Sequence, residues 1–445
     1  MEFAFVMQCC LVALVGVAVA AVFSMIPGLH IYNVIAFTML LAFAAIDLFK
    51  AMDPLLTTCF IMGMVVGFAV LFTVSSQFFQ PCDDSFRSMM LPHERFLYEG
   101  RGFEAVMLGG FGSLIALLLI AGVFPFVTGA IGLLRELIRP HIYWILGLVS
   151  LFILISEWPK DHGVGKTVGQ RLRDGWGQLG MGLFVFAAAA VLGMFVFYNT
   201  IIPVQSAFQS LMPVFIGLFA LSSQIMTVIS RAKIPPQHYA SSVDAATHDV
   251  ARGALTGVVA GMFSSLTPGL TPGPALLMSA HATASAGDKQ FIIGGGAARV
   301  LYYIGALVLF FMPDVYMRRG GAAINISLFF VPETTEQYYL ISGIIALAGA
   351  ASMAILPLFA RMCGAITQKV DFRHISLGSM VLLTAIVWGV TGWRGVVMML
   401  VATALGLVPN FWHTRRIPLL AVLLVPVSLN MAGVGSKVAI WLGFR

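Results

Sequence analysis

Arg299 stands within FIIGGGAARVLYYIGALVLFF, residues 291–311, a run with no other charge. An arginine inside the apolar part of a bilayer costs roughly 2.5–3.5 kcal/mol even on lenient insertion scales. Its planar guanidinium fork suits a carboxylate or a phosphate. The competing account is an interfacial arginine whose head snorkels to the lipid surface. Arg299 is eight residues past Phe291, about 12 Å of helix rise, which is deep for snorkelling.

A second chemical feature occurs twice. Residues 16–29 read GVAVAAVFSMIPGL and residues 257–270 read GVVAGMFSSLTPGL. Gly16/Gly257, Val17/Val258, Ser24/Ser265, Pro27/Pro268, Gly28/Gly269 and Leu29/Leu270 coincide without a gap. Proline removes a backbone donor and glycine admits unusual backbone angles, so each Pro-Gly predicts a broken helix. Non-helical backbone at membrane depth is tolerated only inside protein or beside a watery cavity. Paired interruptions in two halves point to a transporter's binding site. Helix starts after each break carry partial positive charge and suit an anion. The nearest donors or close-approach points are His30, Asn33, Thr271 and Gly273. The plain structural alternative is a kink packed by small residues.

Other polar residues carry weaker signals. Asp83 and Asp84 follow Pro81 in a long loop and suit a coupling cation, although a solvated acidic pair is the commoner arrangement. His281, 12 positions beyond Gly269, suits a proton relay or a place in a helix core. Ser75, Ser76 and Gln77 close an apolar run, where such residues often only join helices. No nucleophile elbow, Walker loop, HExxH or paired catalytic carboxylate occurs. Gly163–Thr167 resembles part of a phosphate loop, but the position of its first glycine holds Lys160. An enzyme is not expected. The cysteines Cys9, Cys10, Cys59, Cys82 and Cys363 lack CxxC spacing, so neither a disulfide framework nor a metal site is expected.

These residues must be positioned by membrane helices. Of 445 residues, 59% are hydrophobic and 10% charged, with a mean hydropathy of +0.95. That excludes one anchor plus a soluble domain. Apolar runs recur at 3–24, 34–49, 54–78, 106–130, 141–156, 180–199, 207–229, 254–284, 291–312, 338–359, 375–389, 395–411 and 417–432. They predict an all-α integral membrane protein with about 10–12 crossings; strands of a β-barrel would be shorter and alternating. The first run lacks the basic start of a signal peptide, so it is expected to stay as a helix.

The net charge of +6 reports loop asymmetry, and no basic run is long enough to suggest nucleic acid. Lys160, Lys166, Arg171 and Arg173 place loop 157–174 in the cytoplasm. Loops 230–252 and 361–374, and Arg415-Arg416, follow the same rule. Arg135 and Arg139 then fall outside, against the trend. On this count the hairpin at Pro27-Gly28 enters from outside and that at Pro268-Gly269 from inside. The expectation is two inverted repeats, 1–235 and 236–445.

The segments IPGLHIYN and LTPGLTPGPALLMSAH resemble the paired signatures of the large membrane subunit of tripartite tricarboxylate transporters, the TctA-like family. Residues 80–114, QPCDDSFRSMMLPHERFLYEGRGFEAVMLGGFGSL, resemble a loop of a shorter branch of that family. The resemblance implies a permease in the cytoplasmic (inner) membrane, with its site between broken helices. It implies sodium or proton coupling, and in tripartite members a small membrane subunit and an extracytoplasmic binding protein. His30-Ile31-Tyr32-Asn33 stands where those permeases carry small residues. The expected function is an organic-anion permease, most simply for a carboxylate. The alternatives are a carrier of lipid-linked phosphate of the polyprenyl-phosphate type, a lipid-modifying membrane enzyme and a non-transporting membrane subunit.

Overall fold

The computed structural model describes residues 2–35, 38, 52–79, 90–158, 167–202, 210–230, 234–240, 242–285, 287–313, 315–412 and 414–444. Among them there is helix and no strand. In chain order the helices are α1 Phe3–Ser24, α2 Pro54–Phe78, α3 Met90–Tyr98, α4 Gly102–Gly122, α5 Thr128–Ile138, α6 Ile142–Ile155, α7 Val168–Tyr198 and α8 Leu211–Ile229. They continue as α9 Thr247–Leu266, α10 Pro272–Ala282, α11 Asp288–Phe311, α12 Gly320–Ile326, α13 Thr335–Lys369, α14 Phe372–Phe411, α15 Ala421–Met431 and α16 Gly435–Trp441.

Local chemistry sets the ends of these helices. Asp53 Oδ1 accepts the Leu55 backbone N–H at 2.7 Å, with Pro54 as the first residue of α2. Thr167 and Thr334 form reciprocal capping boxes with Gln170 and Gln337 at the starts of α7 and α13. Such caps satisfy N–H groups that a helix leaves over at its start. Gly392, at φ +69°, breaks α14 in its middle.

Among the described residues nine helices are long and apolar enough to cross a membrane, or ten if the bent pair Ile417–Met431 and Gly435–Trp441 is one span. The sequence count of 10–12 runs higher for identifiable reasons. Run 34–49 lies almost wholly outside the described residues. Run 254–284 splits into α9 and the short α10. Residues 131–140, read as a loop, continue α5 through a 3-10 turn at Arg139–His141 into α6.

Packing divides the chain into two units. The first holds Met1–Leu137, Arg231–Leu266 and Thr271–Ser379; the second holds Ile138–Ser230, Thr267–Leu270 and Met380–Arg445. Each takes chain from both sides of residue 235, so these are packing units and not the two sequence halves.

Within the first unit, glycines let helix backbones touch. A Cβ on Gly16 would collide with Phe60 O, and one on Gly63 with Ala13 O, while Gly67 faces Val17 and Ala20. The contacts advance together along both helices, so α1 and α2 run parallel. The same holds for α9 and α11, where Gly253, Gly257 and Gly261 meet Gln290, Gly294 and Leu301 in turn. Small residues at four-residue spacing are the usual device for close helix approach in membranes. Gly16 and Gly257, matched by the sequence repeat, thus do the same work. The pairs then cross over: α2 packs on α13, and α11 on α4. Phe68 meets Tyr303 and Phe72 meets Arg299, so α2 runs antiparallel to α11.

In the second unit α15 packs on α7 and α6. Gly193 of α7 lies against Val422, and Gly217 of α8 against Met399 and Ala402 of α14.

Candidate functional site

Both Pro-Gly-Leu segments interrupt their helices. α1 stops at Ser24 and α9 at Leu266. Gly28 and Gly269 share φ +79°, a left-handed conformation that only glycine adopts without strain. The α1 end is satisfied by side chains: Ser75 Oγ donates to Ser24 O, and Ser379 Oγ donates to Pro27 O at 2.5 Å. Beyond the second turn, α10 runs back along α9, where Thr283 Oγ1 meets Thr256 Oγ1 at 2.7 Å. The feet of this hairpin therefore lie together, and eleven residues from Thr256 to Thr267 place its turn about 16 Å away.

His30 follows the first turn. Its Nδ1 accepts the Tyr32 backbone N–H at 3.2 Å. The proton of the neutral ring therefore belongs on Nε2, which donates to Tyr303 Oη at 2.9 Å. Tyr32, Phe68 and Tyr303 surround the imidazole, with ring centroids 4.7, 5.8 and 5.5 Å away. Asn33 N–H caps His30 O at 2.9 Å.

Tyr303 lies in a π turn, Leu301–Gly305. Such turns are rare and cluster at functional sites. One helical turn earlier, Arg299 is only 2% exposed. Its guanidinium carbon lies 5.9 Å from the centre of the Phe72 ring. Phe72 stacks on Phe68 at 4.7 Å, so one aromatic set links Arg299 to His30. The snorkelling alternative for Arg299 fails on its burial within protein.

His93 on α3 completes this neighbourhood. Its Nδ1–H donates to Gln77 Oε1 at 2.5 Å, and Gln77 Nε2 donates to His93 O at 2.9 Å. Burial, and then the charge of Arg299, push the His93 imidazole down to about 3, so it is uncharged at neutral pH. Arg319, in the connection before α12, is lowered by desolvation to about 10, with Tyr302 and Tyr32 acting the other way. It stays cationic at neutral pH.

Thr271 is buried at the N-cap of α10, and its Oγ1 has no hydrogen-bond partner among the described residues. Gly273 is buried in the first turn after it. Pro268 and Gly269 group with the second unit, where Gly269 faces Val427. His281 is exposed at the foot of α10, away from the turn. Asp83 and Asp84 lie outside the described residues. Gln77, read in sequence as a helix-joining polar residue, joins α2 to α3 as the partner of His93. Tyr32, Tyr303, Phe68 and Phe72 carried no sequence signal, because aromatic residues in apolar runs are ordinarily core.

Chemically, the first unit offers a buried guanidinium, a second cation, a phenol, an imidazole N–H and a threonine hydroxyl. Groups of these kinds are chemically suited to an anion with several oxygens. No group of three or more metal-ligating side chains occurs among the described residues, and Cys9, Cys10, Cys59 and Cys363 are free thiols.

The family model described as the tripartite tricarboxylate transporter TctA family matches residues 10–421. No curated protein and no solved structure matches the chain.

Proposed function

Because the chain belongs to the tripartite tricarboxylate transporter TctA family, a family of membrane transporters and not of enzymes, we propose that it is a secondary permease for a multiply charged carboxylate. The observation that carries this is Arg299, buried in an apolar helix one turn from the tyrosine that holds His30. The planar guanidinium fork of Arg299 matches the paired oxygens of a carboxylate, and an arginine inside an apolar helix ordinarily marks a functional site. The Pro27-Gly28 turn, with Thr271 and Gly273 opening α10, supplies further amide and hydroxyl donors.

The parallel pairs α1–α2 and α9–α11, with α2 antiparallel to α11, support an inverted repeat of the transporter kind. Alternating access then proceeds by one part of each repeat moving around the anion. We place the protein in the cytoplasmic membrane with the connections α6–α7, α8–α9 and α13–α14 inside; the last is only the turn between Lys369 and Phe372, shorter than the loop 361–374 expected from sequence. A small membrane subunit and an extracytoplasmic binding protein are its proposed partners. The lipid-linked phosphate reading gains nothing from the family.

Uptake of radiolabelled citrate into cells expressing the chain, with and without its candidate partner subunits, tests this. Saturable uptake competed by other di- and tricarboxylates is the expected result. Absence of uptake and of competition for every carboxylate tried would overturn it.

A further inference from the structure

The second unit buries a carboxyl group that the anion site does not use. In sequence Glu157 reads as one of the charges of a polar loop. In the structure it is 4% exposed. Its Oε2 accepts the backbone N–H of Arg415 at 3.0 Å. Its Oε1 is buried with no hydrogen-bond partner among the described residues. The space it fills is made by Gly182 on α7, where an added Cβ would come 2.7 Å from Glu157 Cγ. Trp158 covers α7 two turns before Gly182, lying on Gly175.

An ionised carboxylate with one oxygen unpartnered is far more costly to bury than a protonated carboxyl. Among the described residues the cation that acts on Glu157 is Arg415, and its pull is smaller than the effect of burial. From the 414–416 connection come the Arg415 backbone N–H and the more distant Arg415 charge. The adjacent Arg416 guanidinium is committed elsewhere, to Leu218 O at 2.6 Å, Phe219 O at 3.2 Å and Ser222 Oγ. On α7 the charged residues Arg171, Arg173 and Asp174 are exposed and lie two turns or more before Gly182. α6, α8 between Leu211 and Ile229, and α15 hold one titratable side chain, Tyr143, and it stands at the far end of α6 from Glu157.

We propose that Glu157 is a proton-binding site of the second unit, linked through one peptide to a π turn. A proton from water forms an O–H bond at the carboxylate and leaves again to water, with no other reactant. The linkage is covalent and short: Arg415 N–H holds Glu157, and Arg416 holds the π turn Ile216–Leu221 of α8. A carboxylate grips the Arg415 N–H more strongly than a neutral carboxyl, so the proton sets the hold of this connection on α8. Burial, the larger influence, raises the carboxyl above its usual range against the opposing pull of Arg415.

Infrared difference spectroscopy on the full chain in proteoliposomes, without substrate, tests the site directly. A carbonyl band of a protonated carboxylic acid is expected to titrate above the ordinary glutamate value of about 4.3. Glu157→Gln should remove it. Gly182→Ala keeps the carboxyl but takes its space, and should move that titration back toward the ordinary value. A band untouched by both substitutions, no band titrating above the ordinary value, or a band answering to sodium at fixed pH would each overturn the proposal. The consequence for transport rests on the permease reading: Glu157→Gln should flatten the pH dependence of citrate uptake. Loss of the permease reading leaves the spectroscopic result standing, so the two failures are distinguishable.

Discussion

His30 Nε2 lies 2.9 Å from Tyr303 Oη, across 273 positions of sequence. The bond ties the turn after the first Pro-Gly-Leu to the π turn of α11. Tyr303→Phe keeps the ring contacts with His30 and Phe68 and removes only the acceptor. Leaving the half-buried imidazole N–H without its partner costs about 1–3 kcal/mol. Uptake per molecule in the membrane is expected to fall about tenfold, with the melting temperature lowered modestly. Unchanged uptake would separate His30 from the transport path.

Gly28 and Gly269 both stand at φ +79°. An alanine in that region costs roughly 1–2 kcal/mol. At Gly269 the added Cβ also meets Val427 Cβ at 3.3 Å, so Gly269→Ala should be no milder. Both single variants should lose thermal stability in detergent, and an alanine control at Gly343, where a Cβ meets nothing within 4 Å, should not. Equal behaviour of all three would mean that the turns relax without penalty.

The sequence repeat was legible because its physics is local. Proline and glycine break a helix wherever they stand, and the two turns take one conformation. α2 matched its apolar run end to end, since Asp53-Pro54 starts it and a polar Ser-Ser-Gln closes it. What sequence missed depends on distant partners. A π turn leaves no residue signature in LYYIG. Tyr303 reads as one more aromatic in an apolar run until His30 is placed beside it. Glu157 reads as a loop charge because nothing near it in sequence says that Gly182 opens a space for it. Arg299 was legible as a lone charge facing the protein interior, but the packing partner it finds there, Phe72 of α2, was not.

His93 gives a pH signature with a defined sign. Its folded value is about 3, and an exposed histidine has a value of about 6.5. Between these values the unfolded chain binds a proton that the folded chain does not. Stability is therefore lost as pH falls below about 6.5, by up to ~1.4 kcal/mol per pH unit. Glu157 acts with the opposite sign, since a raised carboxyl favours the folded state as pH falls. Comparing the wild type with His93→Gln cancels that contribution. The melting temperature should drop faster between pH 7 and pH 5 in the wild type; parallel curves would mean that His93 is charged when folded or exposed to water.

Arg299 separates recognition from structure. It is buried in α11, beside Phe72 and close enough to His93 to act on its charge. Arg299→Lys keeps a cation but loses the fork that binds two oxygens at once. Arg299→Ala removes the cation and the guanidinium–ring contact. If the arginine meets the transported anion, Lys should raise the KM for uptake about tenfold or more, a loss of the order of one charge-assisted hydrogen bond. Ala should abolish uptake at every substrate concentration tested. If the arginine only fills space between α2 and α11, both variants should transport normally per folded molecule and differ from wild type only in melting temperature. A direct contact has a further mark that a structural role lacks: bound citrate should raise the melting temperature of the wild type, less so for Lys, and not at all for Ala. Full stabilisation of Arg299→Ala by citrate would remove this residue from the anion site and leave the Pro27-Gly28 turn and Thr271 as its ligands.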